Sequence, residues 1–315
     1  MITIAFFSNR NGAGKTTLSY HLAHMLAKMG YSVLAVDLDP QASLTSSFLD
    51  HAVLERIWDK RDFAGTVWTS VQPIVSGAAE IARIDPVAVG LGKELVLLCG
   101  DPELDQFEDR LAKAWHDRAA PLHAPLQSVF HRMIQAAGRV HESDVAIVDV
   151  GSNLGAISRA ALLAADWFLI PLGPDLLSVC GLASLGPAIR DWQAEWRRMR
   201  GIAPIDWQLP AGEMRSLGYI AVDSARRNDG FDKWHRRLPE AYRSNLGGRA
   251  GDLCVATLRN YRSLIEMSRE ARKPMFDLAP ADGAIGSHAQ LVRVCEQDFR
   301  NLAEKVAEAA GLQKP

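Results

Sequence analysis

The chain has 315 residues, 48% hydrophobic, 23% charged and 7% aromatic, with 35 Lys+Arg against 37 Asp+Glu and a formal net charge of -2. That composition excludes an intrinsically disordered chain, a collagen-like fibre, a disulfide-stapled miniature and a uniformly basic sleeve for nucleic acid, while leaving room for a local basic face. A chain of this length can bury a full core without metals or disulfides.

Residues 2–7 are short, apolar and β-branched, as expected of a strand buried on both faces of a parallel sheet. A helix is predicted over 16–29, where Leu18, Leu22, Met25, Leu26 and Met29 recur at helical spacing and Gly30 stops the run. Residues 33–36 read as a second strand that ends at Asp37-Leu38-Asp39-Pro40, so one strand–helix–strand unit fits within forty residues. Further strands are predicted at 94–98, 145–150, 167–171, 217–222 and 275–276. Helices are predicted near 103–114, 125–138, 156–165, 178–199, 229–244, 257–270 and 287–309, and residues 50–90 read as the least regular stretch. This alternation predicts an α/β fold, a doubly wound, mostly parallel sheet with helices on both faces. The expected organisation is a single domain over 1–315, with less regular additions near 50–90 and 195–260.

Cys99, Cys180, Cys254 and Cys295 stand far apart with no C-x-x-C pair, which reads as free thiols. No apolar run reaches the roughly 18 residues of a membrane span, and no basic flank precedes residue 2. The expected location is the cytoplasm, including association with the nucleoid.

The strongest chemical signal is the run Ser8-Asn9-Arg10-Asn11-Gly12-Ala13-Gly14-Lys15-Thr16-Thr17 between the first strand and the first helix. Successive backbone N–H groups there can curl around a phosphate, and the helix terminus adds its dipole. Lys15 is placed for the β- and γ-phosphates and the Thr16 hydroxyl for Mg²⁺. The strict G-x-x-x-x-G-K-T pattern fails, because Asn9 stands at the first glycine position.

This segment resembles the deviant Walker A loop of the ParA/MinD family, written K-G-G-x-G-K-T-T. Residues 36–45 resemble that family's D-x-D-P-Q motif. Residues 144–152 resemble its Walker B strand and following switch, 165–172 with Gly181-Leu182 its next strand and helix, and 271–276 its last strand near the base. The likeness runs in order from residue 2 to about 305, strongest over 2–50 and 144–182.

The resemblance implies a P-loop NTPase that binds ATP and Mg²⁺, with Arg10, Asn11, Gly12, Ala13, Gly14, Lys15, Thr16, Thr17, Asp37 and Pro274 at the nucleotide. It implies Thr16, Asp39 and Asp149 at the metal, and catalytic roles for Asp39, Lys15 and Arg10. Asp39 would orient the attacking water and Asp37 would support the switch; an ordinary strand-end or helix-capping carboxylate is the alternative for Asp37. Two departures stand out. Arg10 replaces the signature lysine that reaches a partner subunit's nucleotide in an ATP-sandwich homodimer, and a guanidinium is longer and planar. Asn11 replaces the next glycine; asparagine is the non-glycine residue that best tolerates a left-handed backbone, so the loop is expected to survive there with some strain.

From Arg190 to Lys273 there are 17 Lys+Arg against 11 Asp+Glu, densest at Arg197-Arg198, Arg226-Arg227 and Arg236-Arg237. Such a segment suits non-specific DNA, as in ParA-type relatives, or is a solvated face balanced by nearby acids. Trp192 and Trp196 read as one buried helix face, with base stacking as the alternative. The last helix carries Glu304 and Glu308 among its bases and reads as docked on its own domain, not on a membrane. The expected function is therefore an ATP-hydrolysing dimerisation switch that couples DNA binding to partition or positioning of a cargo, together with a ParB-like or adaptor protein. The alternatives are a weakly hydrolysing nucleotide-dependent scaffold, as in phage defence, and a MinD-like membrane-associated ATPase. A redox enzyme of the nitrogenase iron-protein type would need switch cysteines, and only Cys99 lies near one.

Overall fold

The computed structural model describes residues 1–59, 65–78, 80–90, 94–117, 123–204, 207, 209–222, 231–247 and 253–313. Its centre is an eight-stranded sheet formed by β1 (Ile2–Phe6), β2 (Val33–Leu38), β3 (Val87–Ala88), β4 (Leu95–Leu98), β5 (Val145–Val150), β6 (Trp167–Leu172), β7 (Arg215–Val222) and β8 (Cys254–Leu258). The order is β3-β4-β2-β5-β1-β6-β7-β8, with β3 antiparallel to β4 and every other pairing parallel. The doubly wound, mostly parallel α/β fold expected from the alternation is the fold observed.

Side-chain alternation divides the core in two. On β1, β2 and β5, Ile4, Phe6, Val33, Ala35, Val145 and Ile147 face one helix layer, while Ala5, Leu34, Val36, Ala146 and Val148 face the other. The first layer holds α1 (Lys15–Lys28), α2 (Ser43–Phe48), α3 (His51–Trp58), α11 (Arg262–Ala271) and α12 (Ser287–Ala310). The second holds α4 (Val67–Val75), α5 (Glu108–His116), α6 (Ala124–Gln127), α7 (Val129–His141), α8 (Ala156–Ala164), α9 (Leu176–Arg200) and α10 (Phe231–Leu246). Each fully buried Leu, Ile or Phe in these layers is worth roughly 1.5–3 kcal/mol.

Several expectations need correction. Met275 and Phe276 form a 3-10 turn (Met275–Asp277), not a strand; Pro274 before them has no N–H to give a ladder. The last strand is instead β8, inside a stretch expected to begin a helix at 257. Its burial is mixed, with Cys254 and Thr257 exposed, because it lies at the sheet edge. Residues 50–90, expected to be the least regular, contain α3 and α4, capped by the Asp50 and Thr66 side chains. The helix expected at 125–138 is two, α6 and α7, separated at Ser128. Among the described residues no helix is long and apolar enough to cross a membrane.

Candidate nucleotide site

The carboxyl ends of β1, β2 and β5 meet at one edge, where ligands settle in open α/β sheets. The loop after β1 turns through Gly12 (φ 73°) and Gly14 (φ 87°), both left-handed, a region glycine enters without steric cost. Asn11 is not left-handed, so the strain expected of it is absent. Gly14 occupies the cap position of α1, where no side chain caps the helix and no acid stands in its first turn. The leading N–H groups of a 14-residue helix are thus left to an anion.

Lys15 is buried, and burial lowers its pKa against the pull of the Asp149 and Asp39 charges. Its ammonium donates to Ser152 Oγ at 2.5 Å. Thr16 Oγ1 donates to Asp149 Oδ2 at 2.6 Å, and Ser19 Oγ to Asp149 Oδ1 at 3.2 Å. Asp37 and Asp149 face each other in register on β2 and β5, both fully buried on the α1 side of the sheet. Loss of water raises Asp149 to about 7 and, with the Asp149 charge adding to it, raises Asp37 to about 8. Asp37 Oδ2 accepts from both Thr45 N and Thr45 Oγ1 at 2.8 Å, and its Oδ1 accepts from Asp39 N at 3.2 Å. Asp37 therefore shapes the turn that carries Asp39. That turn closes through a left-handed Ala42 (φ 47°), a strained conformation for a residue with a Cβ. Asp39 itself accepts from Gln41 N at 2.9 Å and lines a cavity of about 470 Å³ with Asn11, Gly151, Ser152 and Asn153.

A second cleft, of about 740 Å³, runs from the Gly12–Thr17 loop along α1 to Tyr20, His21, Tyr261, Ile265 and Met275. His21 joins its two ends: Nδ1 donates to Thr17 O at 2.7 Å and Nε2 accepts from Met275 N at 2.9 Å. Burial holds this imidazole neutral, with a pKa near 3. Met275 lines the cleft, whereas Pro274, the residue expected at the nucleotide, does not.

A family profile described as an AAA domain matches residues 1–200, the segment that contains the loop, Asp37, Asp39 and Asp149. The chain belongs to the ParA/MinD family of P-loop ATPases. Among curated relatives, the virulence plasmid ParA family protein pGP5-D of Chlamydia psittaci is 29% identical over 197 residues, covering 59% of this chain and 62% of its own. The cell division protein PomZ of Myxococcus xanthus is 27% identical over 191 residues, covering 60% and 52%. The chain spans about half the length of the curated relatives it matches. Among solved structures, protein DIP2308 of Corynebacterium diphtheriae superposes with a TM-score of 0.70 at 24% identity, covering 98% of this chain and 99% of the other. The ParA of pNOB8, solved bound to nonspecific DNA, does so with a TM-score of 0.60 at 17% identity, covering 98% of each. These likenesses establish the fold.

In this ParA/MinD chain Lys15, Thr16, Asp37, Asp39 and Asp149 come together, and Arg10 stands apart from them. Its guanidinium donates to Asp175 Oδ2 at 2.5 Å and to Ser178 Oγ at 3.5 Å. Burial is the largest single influence on Asp175 and raises its pKa, but the hydrogen bonds from Arg10 and Ser178 and the Arg10 charge together outweigh it and leave the carboxyl below its usual range. Asp175 caps α9 through Ser178 N at 2.8 Å, and Asn9 Nδ2 donates to Gly181 O at 3.0 Å, so the start of the loop is tied to α9. Three residues of the site escaped the sequence reading. Ser152 lay within a recognised motif without a role, Thr45 likewise, and Ser19 one turn beyond Lys15.

The Arg-rich segment is not one surface. Arg197, Arg198 and Arg200 are exposed at the end of α9, and Arg236, Arg237 and Arg243 are exposed on α10, which packs on α9. Arg259, Arg262 and Arg269 instead line the large cleft. Arg226, Arg227 and Arg249 lie outside the described residues. Trp196 is fully buried, its Nε1 donating to Pro210 O at 3.1 Å, and Trp192 is half-buried against the same core, as the helical spacing predicted.

Proposed function

We propose that the chain binds ATP with Mg²⁺ in the cleft beside α1 and hydrolyses it as a switch. One observation carries this reading: a buried lysine at an uncapped helix N-terminus, within reach of Ser152 and beside the Thr16–Asp149 pair. The donor set suits the group, since an ammonium and free N–H groups meet phosphate while a hydroxyl and a carboxylate meet a hard cation. Thr16 and Asp149 would hold Mg²⁺, with Asp39 close by. The ion would supply charge neutralisation at the phosphates. Lys15 would hold the β- and γ-phosphates, Gly12 to Thr17 would offer backbone N–H groups, and Asp39 would accept a hydrogen bond from the attacking water.

The switch would act as a homodimer formed on ATP, with the α9–α10 arginines tracking DNA phosphates and a ParB-like or adaptor protein setting the cargo. The nonspecific DNA named for the pNOB8 relative and the partition and division names of other relatives support that extension. The Arg10–Asp175 pair favours a second reading, a slowly hydrolysing nucleotide-dependent scaffold, because Arg10 is engaged within its own chain. Calorimetry with Mg²⁺ and ATP, followed by turnover with and without duplex DNA, tests both. Tight binding with DNA-stimulated turnover is expected; binding without turnover selects the scaffold, and no binding by the wild-type chain overturns the ATPase.

A further inference from the structure

One side chain joins α5 to α8. Glu108, the first residue of α5, turns its carboxylate onto the first turn of α8. Oε1 accepts from Ala156 N at 2.5 Å and Oε2 from Ile157 N at 2.9 Å. Gly155, at the cap position of α8, has no side chain to perform this task, so Glu108 caps the helix from 48 residues upstream. A carboxylate there also meets the positive end of the helix dipole. The seat is tight: a Cβ at Gly155 would fall 2.5 Å from Glu108 Oε1 and 2.9 Å from Asn153 Oδ1. Asn153 Oδ1 in turn accepts from Gly155 N at 3.1 Å and Ser158 Oγ at 3.0 Å.

The loop over 151–155 is thereby held at both ends, by β5 on one side and by the Glu108 cap on the other. Between them it carries Ser152, which receives the Lys15 ammonium, and Gly151, which passes close to Asp39. Glu108 also lines the Asp39 cavity, yet both its oxygens already accept backbone N–H bonds. Its chemistry is therefore that of an anchor and not of a base. The stretch leading into it is anchored in the same region. Gly100 N donates to Thr45 Oγ1 at 2.8 Å, and Thr45 donates to Asp37, so residues 100–108 touch both the Asp37–Asp39 turn and the 151–155 loop.

We propose that Glu108 is a positioning residue for ATP hydrolysis, capping α8 so that the 151–155 loop keeps Ser152 set against Lys15 and Gly151 against Asp39. This rests on the ATPase reading above. The full chain carrying Glu108→Ala or Glu108→Gln tests it. The glutamine keeps the size and one acceptor oxygen but aims an NH₂ donor at a backbone N–H. Glu108→Ala should lower kcat about tenfold, equivalent to about 1.4 kcal/mol in the barrier, with Glu108→Gln between it and wild type. The Kd for AMPPNP with Mg²⁺ should move by less than about threefold.

Amide exchange at Ala156 and Ile157 should quicken in Glu108→Ala even without nucleotide. In a Ser152→Ala background, Glu108→Ala should cost less than it does in the wild-type chain, because the Ser152–Lys15 contact through which part of its effect runs is already gone. Unchanged kcat in Glu108→Ala, with only a lower unfolding temperature, would make the cap purely structural and overturn the proposal. Full additivity with Ser152→Ala would overturn it as well. Wild-type chain that neither binds nor turns over ATP removes the ATPase reading together with this role. Wild-type turnover with an indifferent Glu108→Ala removes this role alone.

Discussion

On the α1 side of the sheet, Asp37 and Asp149 lose their water at the strand ends, and Lys15 loses most of its own while lining the open cleft. On the α8–α9 side Arg159 is as well buried, yet the Trp115 ring lies 3.5 Å under its guanidinium and Glu195 accepts from it at 2.8 Å. Both regions hold charge that an apolar residue would not cost. The difference is what answers it. Arg159 is met by its own fold through stacking and an ion pair, although burial still lowers its pKa and its Nε finds no hydrogen-bond partner among the described residues. The strand-end groups answer one another incompletely: both carboxyls are pushed up and the ammonium down, each towards neutrality. Charge left in that condition beside open space marks a ligand site.

The widest separation between the two regions should come from Lys15→Ala. Affinity for Mg²⁺ and ATP, read by calorimetry, should fall at least about a hundredfold, since a charge-assisted contact to two phosphates is lost. Arg159→Leu should leave the same affinity within about twofold, and an equal loss in both variants would erase the distinction. Next in size, Asp39→Ala should lower turnover about a hundredfold while ATP still binds, leaving an ATP-bound dimer in gel filtration. Only monomer under those conditions would count against the switch.

A smaller effect is expected of Arg159→Ala on stability, about 2 kcal/mol by denaturant titration, from the lost stacking and ion pair. The subtlest contrast lies in pH. Asp37 and Asp149, raised to about 8 and about 7, keep protons in the folded chain that the unfolded chain releases around 3.8. Their burial therefore lowers stability as pH rises from about 4 to about 8. His21, held neutral down to about 3 against an ordinary 6.5, lowers stability as pH falls through that interval. The unfolding temperature should peak in weak acid, and Asp37→Asn should flatten the alkaline limb while leaving the acid limb in place.

The phosphate loop was legible in the sequence because its parts are contiguous: strand, glycines, Lys15 and helix within thirty residues. Asp37 and Asp149 were legible because each ends an apolar run, and strand alternation then sends both to the α1 face. The contacts of Arg10 with Asp175 and of Glu108 with Ala156 span 165 and 48 residues. They depend on which helix packs where, which no local pattern states. Only the Asp175 cap had a trace, an acid three residues before Ser178 at the head of an apolar helix. The Arg-rich segment misled by continuity: its excess charge is real, but the sheet edge divides it between the α9–α10 surface and the lip of the cleft. At β8 the edge position removed the apolar signature that marks an inner strand.

The pairing of Asp37 with Asp149 also bears on how this chain can change over generations. Because a strand's period is two, deleting one codon within β2 or β5 would send the acid at its end to the α8 side, while the apolar residues would still find apolar neighbours. The product would resemble its parent in composition and core, yet its two acids would no longer meet. Length variation among descendants should therefore fall outside β2 and β5, which should keep their residue count even where every apolar side chain in them has been exchanged.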